Sequence, residues 1–379
     1  MLNIGSAACA LEGPMFQRLF RFILLLSVLA APVLPQEAFC RPVRLVFTGD
    51  IMVHDTQLAA AKLKGRDIWD FGYQFELARP FLKGDAVVGN LETVLAGKER
   101  RHTGYPQFNS PDSLALTLRE AGFDTLLLAN NHTFDRGSSG MRRTVEFLRG
   151  HGFHLAGLSV TPPLLLELDG VRVGVVNATY GVNGEHPKGR DAVRVNVIGR
   201  EFLEASIRDL RMKGADCVVA CLHWGDEYKT KPNETQKKQA RWAFEAGADI
   251  VVGSHPHVLQ PVEFRKDGRL IFWSMGNFVS GQRTLPRERT VIAAVDIELD
   301  DEGECRIRRS GVVPAAVLKV PVKGREAVNG FVIVPAGMEK ARPEAEAKRA
   351  AAINKDVLNF LGLGGAPRPD GFWDVPQKD

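Results

Sequence analysis

The sequence has 379 residues, 45% of them hydrophobic and 25% charged, with a formal net charge of +4. That composition excludes a disordered chain, and the length suits one large α/β domain with appendages or two smaller domains. Basic residues are interspersed with acidic ones and no basic run carries interleaved aromatics, which argues against nucleic acid as a partner.

The amino terminus differs in kind from the rest. Arg18 and Arg21 precede an almost wholly apolar run from Phe22 to Leu34, followed by Pro35-Gln36-Glu37-Ala38. This is the layout of a secretory signal peptide, too short for a comfortable membrane span. Residues 1–38 are therefore read as a signal peptide or, because Gln36 stands where cleavage after Ala38 wants a small residue, as an uncleaved membrane anchor. Either reading makes the remainder an exported protein. Cys217 and Cys221 lie four apart in one predicted strand, roughly 13 Å from each other, too far to pair; they read as core thiols.

Val43 to Thr48 alternates as a strand and ends in Gly49-Asp50. Asp50 is either a first ligand for a hard or borderline metal or a capping or turn aspartate. A second strand, 84–89, runs into Asn90-Leu91-Glu92. Ser110 and Pro111 are placed to open a helix that closes at Gly122. A third strand, 124–129, exits into Asn130-Asn131-His132-Thr133-Phe134-Asp135-Arg136, and Ser138 is placed to cap the helix after it. Asp169-Gly170 turns a hairpin between 164–168 and 171–176. The polar loop 177–184 suits the lining of a substrate cleft, though it equally fits an inert connection.

Ala215 to Cys221 is a buried-strand pattern that exits at His223-Trp224-Gly225. Glu234 to Ala246 reads as a helix, and a further strand at 250–252 exits at Gly253-Ser254-His255-Pro256-His257. Strand, helix and strand in that order make a crossover whose loops leave the same sheet edge, which brings His223, His255 and His257 within reach of one another. Three imidazoles at one edge suggest a metal site. Hairpin and strand patterns continue to 313. From Val320 the pattern weakens; the domain is taken as 44–318, and 319–379 as a tail without chemistry, carrying an exposed charged helix at 342–349.

Thr48-Gly49-Asp50-Ile51-Met52, Gly89-Asn90-Leu91-Glu92-Thr93, Ala129-Asn130-Asn131-His132, His223-Trp224-Gly225, Gly253-Ser254-His255-Pro256-His257 and Ser274-Met275-Gly276-Asn277-Phe278 follow one another in order. This set resembles the CapA family of bacterial capsule-synthesis proteins, linked to poly-γ-glutamate, and more broadly the calcineurin-like metallophosphoesterases. The resemblance implies an α/β/β/α sandwich with two central mixed sheets flanked by helices. It also implies divalent metal ions, two in number, held by Asp50, Glu92, Asn131, His223, His255 and His257. His132, with Asp135, takes the catalytic role. The implied activity is hydrolysis of a phosphoester or an amide-linked polyanion outside the membrane, by a protein associated with a membrane capsule-synthesis complex. The competing implication is an assembly or export factor that only binds anionic polymer. Arg136, Lys229, Lys231 and Arg283 are candidates for holding an anionic substrate. Two positions depart from the broader phosphoesterase pattern: Met52 stands for a ligand histidine and Asn90 for the bridging aspartate, with Glu92 or His54 near enough to compensate.

Overall fold

Alternation of apolar side chains along the strands decides how this chain layers. The computed structural model describes residues 41–377; the segment read as a signal peptide or anchor lies outside the described residues. The larger sheet runs β14 (Asn329–Pro335), β13 (Cys305–Pro321), β12 (Arg289–Leu299), β1 (Val43–Ile51), β2 (Ala86–Leu91), β3 (Thr125–Leu127), β4 (His154–Ala156). Two short strands join it, β11 (Asn277–Val279) beside β1 and β15 (Trp373–Asp374) beside β13. The smaller sheet runs β5 (Leu164–Leu168), β6 (Val171–Thr179), β7 (Cys217–His223), β8 (Ile250–Ser254), β10 (Leu270–Phe272), β9 (Val262–Phe264).

Odd and even positions of these strands enter different cores. Val43, Leu45 and Phe47 of β1 pack with Cys217, Val219 and Cys221 of β7 between the two sheets. Val46 faces outward onto α3 (Ser113–Ala121) and α4 (Gly137–Gly150). Val218, Ala220 and Leu222 face the other way, onto α5 (Arg200–Met212) and α6 (Glu234–Glu245). The result is the expected α/β/β/α sandwich of two mixed sheets flanked by helices. Cys217 and Cys221 are buried thiols. Among the described residues, no helix is long and apolar enough to cross a membrane.

Two predicted caps fall elsewhere. Ser110 does not open α3, whose cap position is Asp112. Ser110 is instead buried, its hydroxyl 2.8 Å from that of Thr93. Ser138 lies inside α4, which begins at Gly137, and its hydroxyl accepts the Val193 N–H at 2.8 Å. In both places a tertiary partner outcompetes the local cap.

Within residues 319–377 the chain continues the larger sheet. β13 extends to Pro321, β14 pairs along it, and α7 (Glu344–Leu361) lays Ala350 and Ile353 on Leu318 and Val332. The charged stretch 342–349 is the solvent side of that helix's beginning, with Arg342–Glu346 and Lys348–Glu344 pairs one turn apart.

Parallel pairing sets the level of the strand ends. β1 and β2 are parallel, with Asp50 opposite Asn90, and β1 and β11 put Asp50 opposite Asn277. β6, β7 and β8 align Thr179, His223 and Ser254. Chemistry-bearing residues of both sheets therefore reach one carboxyl edge together.

Candidate metal centre

Gly49 lets β1 come close enough to the 274–278 turn to place Asp50. A Cβ there would sit 1.9 Å from the Gly276 carbonyl oxygen, the same oxygen that accepts the Asp50 N–H at 2.9 Å. Asp50 is fully buried. Its Oδ1 accepts from Asn90 Nδ2 at 2.8 Å, and its Oδ2 lies 3.2 Å from His257 Nδ1. That nitrogen is also 3.1 Å from Asn277 Oδ1. Asn277 is oriented by its Nδ2, which donates to the His257 carbonyl and to Gln282 Oε1. With two acceptors at Nδ1 the ring proton sits there, so His257 presents the Nε2 lone pair to Glu92 Oε1, 3.8 Å away.

Glu92 is the centre of the pocket. It is fully buried, and its Oε1 has no hydrogen-bond partner. His223 Nε2 is 3.7 Å from the same oxygen. Burial, followed by the negative charge of Asp50, pushes the Glu92 carboxyl well above the usual carboxylate range. His223 also meets Asn131 Oδ1 at 2.9 Å through Nε2, and Ser254 Oγ at 2.9 Å through Nδ1. Ser254 can accept or donate, so this ring can carry its proton on either nitrogen. Burial, and then the neighbouring His255, holds His223 neutral.

His255 leaves Nδ1 buried and without a partner, and burial lowers its pKa to about 4. The two loop histidines have φ of 96° and 57°, in the left-handed region that side chains other than glycine rarely adopt. Strain of this kind persists where surrounding structure over-determines it, as it does at binding sites. Ligand-type atoms of Glu92, His255 and His257 lie within 4.8 Å of one another, as do those of Asp50, Glu92 and His223. Two orphaned buried atoms, three imidazoles and two carboxyl groups fit divalent cations of the borderline kind.

The departures from the phosphoesterase pattern are now located. Met52 is buried, and its backbone N–H is spent on Val279. His54 accepts the Gly281 N–H at 3.1 Å on Nδ1 and packs edge-on against Phe108. Asn90 joins Asp50, Glu92 and His223 through a single amide nitrogen, at 2.8, 3.4 and 3.3 Å. The carboxyl central to the pocket is that of Glu92, two residues further along.

Beside this pocket, His132 Nδ1 is 2.8 Å from Asp135 Oδ2, which also accepts the Phe108 N–H at 2.7 Å. His132 Nε2 faces Asn183 Nδ2 at 3.4 Å, and the Phe108 ring meets His132 edge-on at 4.6 Å. Residues 177–179 of the expected loop belong to β6, paired with β7, and the loop itself begins at Tyr180; in it the Asn183 N–H donates to the Asn131 carbonyl at 2.7 Å. That loop lines the cleft.

The basic residues read as substrate holders are placed differently. Arg136 turns to Thr103 Oγ1 and the Gln107 carbonyl. Arg283 lies over the Phe331 ring and pairs with buried Glu288, and burial lowers its pKa to about 10. Lys229 and Lys231 are exposed, and their carbonyls accept from Gln260 Nε2. What rims the pocket instead is aromatic. Tyr180 lies 4.6 Å from the His255 ring and Tyr228 lies 6.2 Å from the His257 ring, with Glu227 beside them. Glu227 and Tyr228 follow His223-Trp224-Gly225 after one residue, Asp226, a proximity visible in the sequence; Phe108 carried no local signal.

The class these features define is that of α/β/β/α sandwiches with a buried pocket of carboxyl and imidazole groups at the strand ends. The chain belongs to the bacterial capsule synthesis protein PGA_cap family, whose profile matches residues 44–282. It is 31% identical over 253 residues to the capsule biosynthesis protein CapA of Bacillus anthracis, covering 63% of this chain and 60% of that protein. It is 34% identical over 331 residues to the PGA biosynthesis protein CapA of Bacillus subtilis (strain 168), covering 83% of this chain and 76% of that one. Among solved structures, the calcineurin-like phosphoesterase YfkN from Bacillus subtilis is similar over 85% of this chain and 99% of that chain, at 14% identity and a TM-score of 0.46.

Proposed function

We propose that this CapA-type capsule biosynthesis protein is a metal-dependent hydrolase. It acts outside the cytoplasmic membrane on a phosphoester or on an amide-linked polyanion such as poly-γ-glutamate, the polymer associated with the family. The observation that carries this reading is the pair of orphaned buried atoms, Glu92 Oε1 and His255 Nδ1, facing a ring of imidazoles. A buried carboxylate oxygen without a donor costs stability unless something positive meets it.

Glu92, His223, His255 and His257 are placed to hold divalent ions, with Asn131 Oδ1 beside His223 and Asp50 reaching the pocket directly or through His257. Such ions, when bound, lower the pKa of water to roughly 7 and polarise the bond to be cleaved. The chain's own groups do the rest. Asp50 and Asn277 keep the His257 proton on Nδ1. Ser254 Oγ accepts a hydrogen bond from His223 Nδ1–H when the Nε2 lone pair faces the pocket. Asp135 holds the His132 proton on Nδ1 and fixes the ring, so that Nε2 accepts from Asn183 at rest. His132 must therefore take up a proton at Nε2 before giving it to a departing oxygen or nitrogen.

The test is metal content of the purified protein, followed by hydrolysis of a phosphodiester and of γ-linked glutamate, with His132→Ala as control. Bound metal with turnover lost in His132→Ala is the expected result. Bound metal without turnover of either substrate favours the competing reading, a non-catalytic assembly factor, for which buried Met52 in place of a ligand histidine already speaks.

A further inference from the structure

The two groups of ligand-type atoms in the pocket share Glu92, yet they are in different conditions. On one side, Glu92 Oε1 and His255 Nδ1 are buried without a hydrogen-bond partner, and His257 Nε2 faces the same Glu92 oxygen at 3.8 Å. Buried polar atoms left unpaired in this way call for a ligand. On the other side, Asp50, Glu92 and His223 already meet a donor. Asn90 Nδ2 lies 2.8 Å from Asp50 Oδ1, 3.4 Å from Glu92 Oε2 and 3.3 Å from His223 Nδ1.

The two ends of a side-chain amide are told apart only by their partners, so what holds Asn90 decides what it does here. Backbone groups hold it. The His132 N–H donates to Asn130 Oδ1 at 3.1 Å, which makes the other end of Asn130 its nitrogen. That Nδ2 donates to the Leu91 carbonyl at 2.9 Å and to Asn90 Oδ1 at 3.2 Å. Asn90 therefore accepts with its oxygen and turns its N–H groups into the pocket. Reversing it would set two N–H groups against each other at one end and an oxygen against Asp50 at the other, in a buried place where neither finds water. The second oxygen of Asp50 is also served: Oδ2 accepts the His255 N–H at 3.3 Å and lies 3.2 Å from His257 Nδ1.

We infer that the pocket holds one divalent cation, among Glu92, His255 and His257, and that the amide nitrogen of Asn90 stands in the place of a second. This rests on the metal-dependent reading of the pocket and narrows it, since the resemblance implies two ions. An amide nitrogen offers partial positive charge to Asp50 and Glu92 but has no lone pair to give a metal. Asp50 is then a positioning residue, which holds the His257 ring and the Asn90 amide.

The test dialyses the full chain against manganese(II) and, separately, zinc(II), counts bound ions per chain, and records the electron paramagnetic resonance spectrum of the manganese form. One ion per chain, with the spectrum of an isolated ion, is the expected result. Two ions per chain, or spin coupling between neighbouring ions, overturns the inference and spares the hydrolase. No bound ion overturns both. One bound ion with no turnover of a phosphodiester or of γ-linked glutamate sinks the hydrolase and leaves the count standing. Asn90→Asp exchanges the N–H groups for a carboxylate oxygen in a side chain of the same shape, and is expected to raise the count from one to two and to introduce the coupling. A count that stays at one in folded Asn90→Asp overturns the role given to the amide. The unaltered chain's count and spectrum decide the number of ions without that variant.

Discussion

The floor of the pocket and its mouth obey different rules. The floor, Asp50, Glu92, His223, His255 and His257, is buried at strand ends whose level is set by parallel pairing. Asp50 and Asn277 hold His257, and Ser254 and Asn131 hold His223. The mouth, Tyr105, Tyr180, Glu227 and Tyr228, stands on loops and in water. Side chains at or just beyond strand ends inherit the register of the sheet, whereas loops vary without disturbing it.

If the floor is a cation site, Glu92→Gln is the most damaging single change. It keeps the shape of the side chain and removes its charge, and metal affinity should fall more than about 100-fold, beyond the usual effect of losing an orienting partner. The metal-free variant should melt no lower than the metal-free parent, because Glu92 is a buried carboxyl held far from its preferred ionisation. A competition titration with a chelating dye and a thermal melt measure both. Unchanged metal content in Glu92→Gln would erase the distinction between floor and mouth.

Asp135→Asn probes the boundary between the two regions. Asp135 touches His132 and the Phe108 N–H, and no residue of the floor is bonded to it. Turnover should fall about 100-fold while metal content stays the same. Parallel loss of metal and rate would make Asp135 part of the floor.

The floor also predicts a pH response in the metal-free protein. Burial lowers His255 and His54 to about 4 from the ordinary 6.5 and lowers His223 as well, and these three outnumber the one proton that Glu92, raised by burial, keeps in the folded state, so the folded state binds fewer protons than the unfolded state over that window. Stability contributed by these neutral rings is present above pH 6.5 and is lost as pH falls through that window toward 4. Melting temperatures of the chelated protein across the window check the sign; a flat profile would mean that the rings are solvated and the floor is open.

The floor was legible in the sequence for a physical reason. Each of its residues follows an apolar run by two to five positions, so a strand, its exit and its ligand are read together. Crossover handedness then places β7 and β8 side by side without further information. The caps at Ser110 and Ser138 were misplaced because a hydroxyl that suits a helix start equally suits a tertiary partner, Thr93 in one case and the Val193 N–H in the other. The 319–379 segment looked weak because β14 owes its place to β13, and α7 shows only its solvent face in its first turns. The mouth was illegible for a deeper reason. Tyr105, Tyr180 and Tyr228 come from three loops with no shared pattern, and only the fold makes them neighbours. Arginine and lysine residues near those loops attracted attention because charge is visible in a sequence, whereas the destination of a side chain is not.

The smallest expected effect tests that last point. Lys229 and Lys231 sit on the loop that carries Glu227 and Tyr228, and both are exposed, with only their carbonyls engaged by Gln260. Solvated surface charges of this sort contribute about 0–1 kcal/mol to an ion pair, less at physiological salt. Replacing both with alanine should leave KM for an anionic oligomer within about twofold at physiological salt, since a lost contact of a few tenths of a kcal/mol is worth no more. A rise in KM that grows as salt is lowered would show that the lysines guide the polymer's carboxylates past Glu227. The mouth would then steer an anionic polymer by charge as well as by shape.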